Sequence, residues 1–233
     1  MNKPLLSGGD TIIVVSAAVF LVAGGIMLYS HLAKDTTYTQ NANYALMTDI
    51  YTLYPTASAE IVMLGDSHTF GINWSELFAN PRIINRGIRG DILPGMSHRL
   101  DAVIALRPHT VCIMGGINDI YANYTVADIL DEYTQVVEEL RAKKIRVVIQ
   151  STLCIAPSYS AMNRTPASVN AMVQEINTGL EQLARTSGAT YLNINAGLCS
   201  GGALNKEFTV DGIHLNAAGY AKWKTLLAGV LEK

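Results

Sequence analysis

Ile61-Val62-Met63-Leu64-Gly65-Asp66-Ser67-His68 is the stretch that decides the fold. A short run of β-branched and apolar residues, bounded by Gly and Asp, reads as a buried strand. Polar residues then lead to Trp74-Ser75-Glu76-Leu77-Phe78, which reads as a helix. In an open parallel sheet the carboxyl ends of strands line a crevice, so Ser67 is delivered to its mouth. The plainer alternative is a serine that only caps a helix. Gly65 weighs against that alternative, because it permits a tight turn that lifts the hydroxyl clear of the sheet.

Working outward, strands and helices alternate. Further strands are Arg82–Asn85, Thr110–Met114, Ile145–Gln150 and Thr190–Ile194. Between them fall a helix carrying Met96, Leu100, Val103, Ile104 and Leu106, and a second from Val126 to Lys143. A third runs from Ser168 to Thr186, and a last, capped by Asn216, from Ala217 to Leu231. The apolar residues of each recur at three- and four-residue steps, one buried face of a helix. This alternation predicts a three-layer α/β/α sandwich on a five-stranded parallel sheet with right-handed crossovers. No repeat or low-complexity tract divides residues 59–233, which read as one domain.

Composition narrows the function. Of 233 residues, 49% are hydrophobic and 15% charged, with formal net charge −2, which suits one globular domain plus an apolar segment. Lys and Arg form no basic stripe, so nucleic acid is not an expected partner. Cys112, Cys154 and Cys199 match no metal-ligand spacing and are too few for a disulfide framework. Cys112, within a strand, reads as a small buried hydrophobe. Cys154 and Cys199 follow the fourth and fifth strands and, outside the cytoplasm, either pair with each other or stay free.

The apolar segment is N-terminal. Thr11 to Ser30 carries no charge and matches a bilayer's hydrocarbon core as a helix. Residues 1–30 are therefore read as a membrane anchor, with a cleaved signal peptide as the competing reading. Lys3 and Lys34 set a thin charge bias toward a cytoplasmic N-terminus and an extracytoplasmic domain, at the membrane or secreted if cleaved. Residues 31–58 read as a linker and an amphipathic helix, Asn43 to Tyr54, ended by Pro55. That helix lacks a Lys/Arg face, which favours packing on the domain over lying on a membrane surface.

Chemistry-bearing residues gather past the strand ends. Val210-Asp211-Gly212-Ile213-His214-Leu215 places Asp and His three residues apart on the loop before the last helix. A carboxylate so placed can fix the imidazole tautomer and leave the other ring nitrogen facing out. If that nitrogen meets Ser67, the set is a nucleophile, its base and an orienting acid. Gly90 and Asn118 follow the second and third strands, and a glycine N–H and a side-chain amide are suitable oxyanion donors. Each motif alone is weak: a brace for a helix start, a turn glycine, an asparagine bonded to its own loop. Together and in this order they are hard to dismiss.

Gly65-Asp66-Ser67, Asn85-x-Gly87-x-x-Gly90-Asp91, Gly116-x-Asn118-Asp119 and Asp211-x-x-His214-Leu215 resemble the four blocks of the GDSL/SGNH hydrolase family, across roughly residues 59–231. Asn85-Arg86-Gly87-Ile88 and His214-Leu215-Asn216-Ala217-Ala218-Gly219-Tyr220 are similar to platelet-activating-factor acetylhydrolase subunits and bacterial relatives. The resemblance implies a flavodoxin-like fold and ester hydrolysis without cofactor or metal. It assigns Ser67 as nucleophile, His214 as base and Asp211 as its orienter. The oxyanion hole becomes the Ser67 and Gly90 N–H groups with the Asn118 amide. It implies acyl esters as substrates, with acetyl esters of a carbohydrate or cell-envelope polymer the first expectation. Lysophospholipase, thioesterase or acyltransferase chemistry is the alternative, and a non-catalytic anchored binding module the outermost one. His68 and Arg89 depart from the family pattern and are read as possible substrate contacts.

Overall fold

The computed structural model describes residues 37–159 and 164–231. The Thr11–Ser30 anchor expected from the sequence lies outside them, and no helix among the described residues is long and apolar enough to cross a membrane.

Five parallel strands form the sheet: β1 (Ile61–Gly65), β2 (Ile83–Gly87), β3 (Thr110–Met114), β4 (Arg146–Gln150) and β5 (Thr190–Leu192). Their order is β2-β1-β3-β4-β5, the flavodoxin-like arrangement. Every residue of β1 and β3 is buried, as strands covered on both faces must be. Gly65 pairs in register with Gly87 on β2 and Met114 on β3, so the three strands end at one level. The chain order reverses there, β1 to β2 on one side and β3 on the other. Loops leaving β1, β2 and β3 therefore share one crevice.

The helices are α1 (Ala42–Leu53), α2 (Ser67–Phe70), α3 (Trp74–Leu77), α4 (Leu93–His98), α5 (Leu100–Ile104), α6 (Ile117–Tyr121), α7 (Val126–Ala142), α8 (Pro166–Ser187), α9 (Asn195–Leu198) and α10 (Ala217–Leu231). A two-stranded hairpin of Cys199–Ser200 and Ala203–Leu204 follows α9. Helices α4, α7 and α8 pack together over one face of the sheet. The α7 start is held by a capping box between Thr125 and Asp128, the α8 start by Thr165 with Pro166 in its first turn. On the other face α3 and α10 meet through Trp74 and Trp223, fully buried, edge to face at 4.9 Å. Such a pair is worth about 0.5–1.5 kcal/mol beyond its buried area. Both indole N–H groups are satisfied, Trp74 by the Thr69 carbonyl at 2.8 Å and Trp223 by Gln150 Oε1 at 2.7 Å. This face carries α2, the helix that Ser67 opens.

Helix α1 packs on the domain. Its Tyr44 hydroxyl donates to the Gly95 carbonyl at 3.2 Å, and its Tyr51 hydroxyl to Gly87 at 2.6 Å. Tyr54, expected as the last residue of this helix, is its C-cap and is exposed. The single helix expected around Met96 to Leu106 is two, broken at Arg99, whose guanidinium turns inward to Asp91.

Past β4 the chain runs buried but outside any helix or strand from Ser151 to Ala156, fastened by side-chain amides. Asn177 accepts from the Thr152 N–H at 2.8 Å and donates to its carbonyl at 2.9 Å. Asn170 does the same at Ile155, with 2.8 and 2.9 Å. Asn195 donates to the Thr152 carbonyl at 2.8 Å. Cys154, in the middle of this segment, is disulfide-bonded to Cys199, with their Cα atoms 6.8 Å apart; of the two arrangements open in the sequence the paired one is present, and Cys112 is free and buried.

Candidate active site

Ser67 stands two residues beyond β1 and is the first residue of α2. Asp66 caps that helix, its Oδ1 accepting from the His68 N–H at 2.9 Å. Gly65 is required by close approach rather than by an unusual φ: a Cβ there would collide with the Met114 carbonyl and the Thr69 hydroxyl. The turn therefore lies tight against β3, and the half-buried Ser67 side chain faces the crevice.

The loop before α10 brings its histidine to that hydroxyl. His214 Nε2 lies 3.2 Å from Ser67 Oγ, and His214 Nδ1 lies 2.7 Å from Asp211 Oδ2. Asp211 Oδ1 also accepts from the Ile213 and His214 N–H groups, at 3.0 and 2.8 Å. Its modest burial raises its proton affinity. The His214 and backbone hydrogen bonds outweigh that and hold the carboxyl down at about 2. An ionised acid on Nδ1 fixes the proton there and leaves Nε2 free to accept one from the serine.

Gly90 lies on the loop after β2, and Asn118 lies in the first turn of α6 just past β3, the two strands that flank β1. Gly90 has φ +70°, the left-handed region that glycine enters without strain. Asn41, before α1, braces this turn by donating to the Arg89 carbonyl at 2.8 Å. Asn118 donates one amide hydrogen to the Asp91 carbonyl at 2.9 Å, and an NH₂ group has a second to offer. Asp119 Oδ1 accepts from the Leu93 N–H at 2.8 Å, a second link between the β3 and β2 loops. Burial pushes the Asp119 carboxyl up to about 8, opposed by its backbone hydrogen bonds, so it is neutral at pH 7.

One sequence expectation is corrected. His68 is no substrate contact: its ring is buried behind the serine, with Nδ1 3.0 Å from Asp66 Oδ1 and Nε2 2.9 Å from the Ile213 carbonyl oxygen. The reason is the Asp66 cap, whose Oδ1 meets both the His68 N–H and the ring Nδ1 and so holds the side chain inward. Asp91, next to Gly90, is held by Arg99, whose Nε and Nη2 reach its Oδ2 at 3.0 and 2.8 Å. Arg89 is exposed, its guanidinium 4.9 Å over the ring of Phe70, one turn along α2 from Ser67.

Several supports had no separate signal in the sequence. Asn85 Nδ2 donates to the carbonyls of Thr69 and Ile72, at 3.0 and 2.9 Å, and so fixes the chain just after the serine. Tyr220 on α10 donates to the His68 carbonyl at 2.8 Å. His68 was marked only by its place beside Ser67. Among the described residues no group of His, Cys, Asp and Glu side chains could hold a metal ion.

Known proteins share this fold. A GDSL-like lipase from Bacteroides thetaiotaomicron is 25% identical and superposes with TM-score 0.71 over 82% of this chain and 98% of its own. An acetyl-xylooligosaccharide esterase from Geobacillus shares the fold at 17% identity and TM-score 0.58, over 74% of this chain and 94% of its own. An N-acylneuraminate cytidylyltransferase of Streptococcus agalactiae is 24% identical over 189 residues, 81% of this chain. This chain spans only 43% of the length of that curated relative. Residues 63–222, which hold the serine turn, both flanking loops and the Asp–His loop, match the model of the GDSL-like lipase/acylhydrolase family. The chain belongs to that family.

Proposed function

We propose that the chain is a serine esterase for short acyl esters, acetyl first, carried on a carbohydrate or cell-envelope polymer. The observation that carries this reading is the unbroken line from Ser67 Oγ through His214, at 3.2 Å, to Asp211, at 2.7 Å. In the proposed reaction Ser67 Oγ attacks the ester carbonyl as His214 Nε2 takes its proton. Charge develops on the carbonyl oxygen, where the Ser67 and Gly90 N–H groups and the free Asn118 amide hydrogen receive it. Collapse expels the alcohol, protonated by His214, and leaves an acyl-serine. His214 then activates a water that releases the acid.

The openness of the site supports a small acyl group on a large alcohol, since the His214 and Asp211 side chains are 39% and 46% exposed. The acetyl-xylooligosaccharide esterase, named for an acetylated sugar, has the same fold. Arg89, exposed on the loop of Gly90, is placed to grip an anionic group elsewhere on such a substrate. The Cys154–Cys199 bond supports an oxidising compartment and thus an extracytoplasmic domain, tethered to a membrane by residues 1–30.

The test is acetate release from a panel of acetylated glycans, set against esters and thioesters of increasing chain length, with water or a sugar as acceptor. The expected result is fastest turnover with acetyl esters and transfer to water. Faster turnover of long-chain esters or thioesters, or transfer mainly to the sugar, would overturn the substrate reading in favour of lysophospholipase, thioesterase or acyltransferase chemistry.

A further inference from the structure

Asp66, Ser67 and His68 are consecutive, as are Ile213 and His214. Beside the Ser67–His214 contact runs a second link between the same two segments: Asp66 Oδ1 to His68 Nδ1 at 3.0 Å, and His68 Nε2 to the Ile213 oxygen at 2.9 Å. The ring is 1% exposed. Both partners are oxygens that only accept, a carboxylate and a carbonyl. A neutral imidazole carries one N–H, so it would turn a bare lone pair on one of these oxygens inside the protein, a costly arrangement. With a proton on each nitrogen, both contacts become hydrogen bonds and the positive ring lies against the Asp66 carboxylate.

The surroundings agree. Facing this ring are Asp66 from its own segment, Asp211 and His214 from the loop, and Tyr220 from α10, whose hydroxyl meets the His68 carbonyl. Burial lowers the proton affinity of His68; the charge and hydrogen bond of Asp66, the Ile213 carbonyl and Asp211 raise it, with a net rise above the ordinary 6.5.

Asp211 orients the His214 ring, but it rides on the same loop and cannot set that loop's distance from Ser67. Ala156 fastens the loop toward the β4 side, its N–H donating to the Gly212 carbonyl at 2.7 Å. We propose that His68, held as an imidazolium, is a positioning residue that straps the His214 loop to the Ser67 segment and so keeps base and nucleophile in reach. Because the ring is paired with Asp66, it does this while adding little net charge beside His214. The proposal rests on the reading of Ser67 as nucleophile and His214 as base.

Two measurements on the full chain test it. The first is long-range ¹H–¹⁵N correlation of histidine-labelled protein, with His68 assigned by its loss in His68→Gln. Both ring nitrogens of His68 should be protonated at pH 7, and a bare ring nitrogen there would overturn the proposal. The second is kinetic. In His68→Asn the amide can still meet Asp66 but falls short of Ile213, and in His68→Gln it can reach Ile213. His68→Asn should lower kcat about tenfold or more with KM unchanged, since displacement of a reacting group by about 1 Å costs up to about 100-fold. His68→Gln should recover most of the rate and lose the alkaline decline that the wild type shows where His68 gives up its second proton. Wild-type kcat in His68→Asn, or equal losses in both variants, would overturn the strap. If the variants do not fold, His68 is assigned in the wild type by through-bond correlation of its ring to its backbone, and its ring-nitrogen spectrum decides. Ser67→Ala separates the two ideas: an active Ser67→Ala removes the underlying reading, whereas an inactive Ser67→Ala beside a fully active His68→Asn removes the strap alone.

Discussion

Two aspartate–histidine pairs sit side by side in this protein, their imidazole rings 5.7 Å apart between centroids. In one, His214 and Asp211 are 39% and 46% exposed; in the other, His68 and Asp66 are 1% and 0% exposed. The residue types and the Nδ1–carboxylate contact are the same. What differs is the group at the far nitrogen. His214 Nε2 faces the Ser67 hydroxyl, which can both give and take a proton, whereas His68 Nε2 faces a carbonyl, which can only accept. One pair can therefore pass a proton back and forth, and the other can only hold one. The chemistry of a histidine is set by the partner of its second nitrogen more than by its acid.

The comparison breaks at once if the exposed pair is idle. Ser67→Ala and His214→Ala should each lower kcat for an acetyl ester by on the order of 10⁴-fold or more, with Asp211→Ala costing less, because members of such a set act as a unit. Steady-state assays with a model ester check this, and near-normal turnover by Ser67→Ala would sink the assignment.

Next in size is a contrast in stability. Asp66→Ala strands a buried charged ring and should cost about 3–5 kcal/mol of unfolding free energy. Asp211→Ala removes an exposed partner and should cost less than about 1 kcal/mol. Urea unfolding of the two variants tests the pair directly, and equal losses would erase the distinction between them.

The smallest effect is on pH dependence, and its sign differs between the pairs. Asp211 is held at about 2, below its ordinary 3.8, so its contribution is present above pH 4 and fades as the pH falls toward 2. It is modest, because the pair is exposed. His68 is raised above 6.5, so its contribution is complete below pH 6.5 and fades as the pH rises through its higher folded value. Unfolding curves for Asp211→Asn and His68→Gln should therefore diverge from the wild type at different pH: the Asp211 deficit shrinks at acid pH and the His68 deficit shrinks at alkaline pH. The opposite assignment would refute the ionisation states given to Asp211 and His68.

Most of the fold is legible in the sequence because strands and long helices announce themselves by period. Thr110–Met114 and Ala217–Leu231 have the same limits in sequence and structure, and the other strands and long helices differ by a few residues at their ends. Short helices such as Ser67–Phe70, Ile117–Tyr121 and Asn195–Leu198 escape, since four or five residues make little more than one turn and no apolar face recurs along them. The meeting of Ser67, His214 and Asp211 is legible because the proposed chemistry needs those residue types just past strand ends. The Asp91–Arg99 pair and the Asp66–His68–Ile213 strap are not. They join residues by inward turns of side chains, and no spacing records which way a side chain turns.

The asparagines that fasten residues 151–156 have a consequence for the company this protein keeps. Extended backbone with unoccupied N–H and C=O groups is a template to which another chain can add a strand, the first step toward fibres. Asn177 and Asn170 occupy both groups of Thr152 and of Ile155 with single amides, each supplying the pair of bonds a neighbouring strand would have made. At this end of the sheet the protein imitates its own missing strand, and at those two residues an incoming chain finds the backbone already taken.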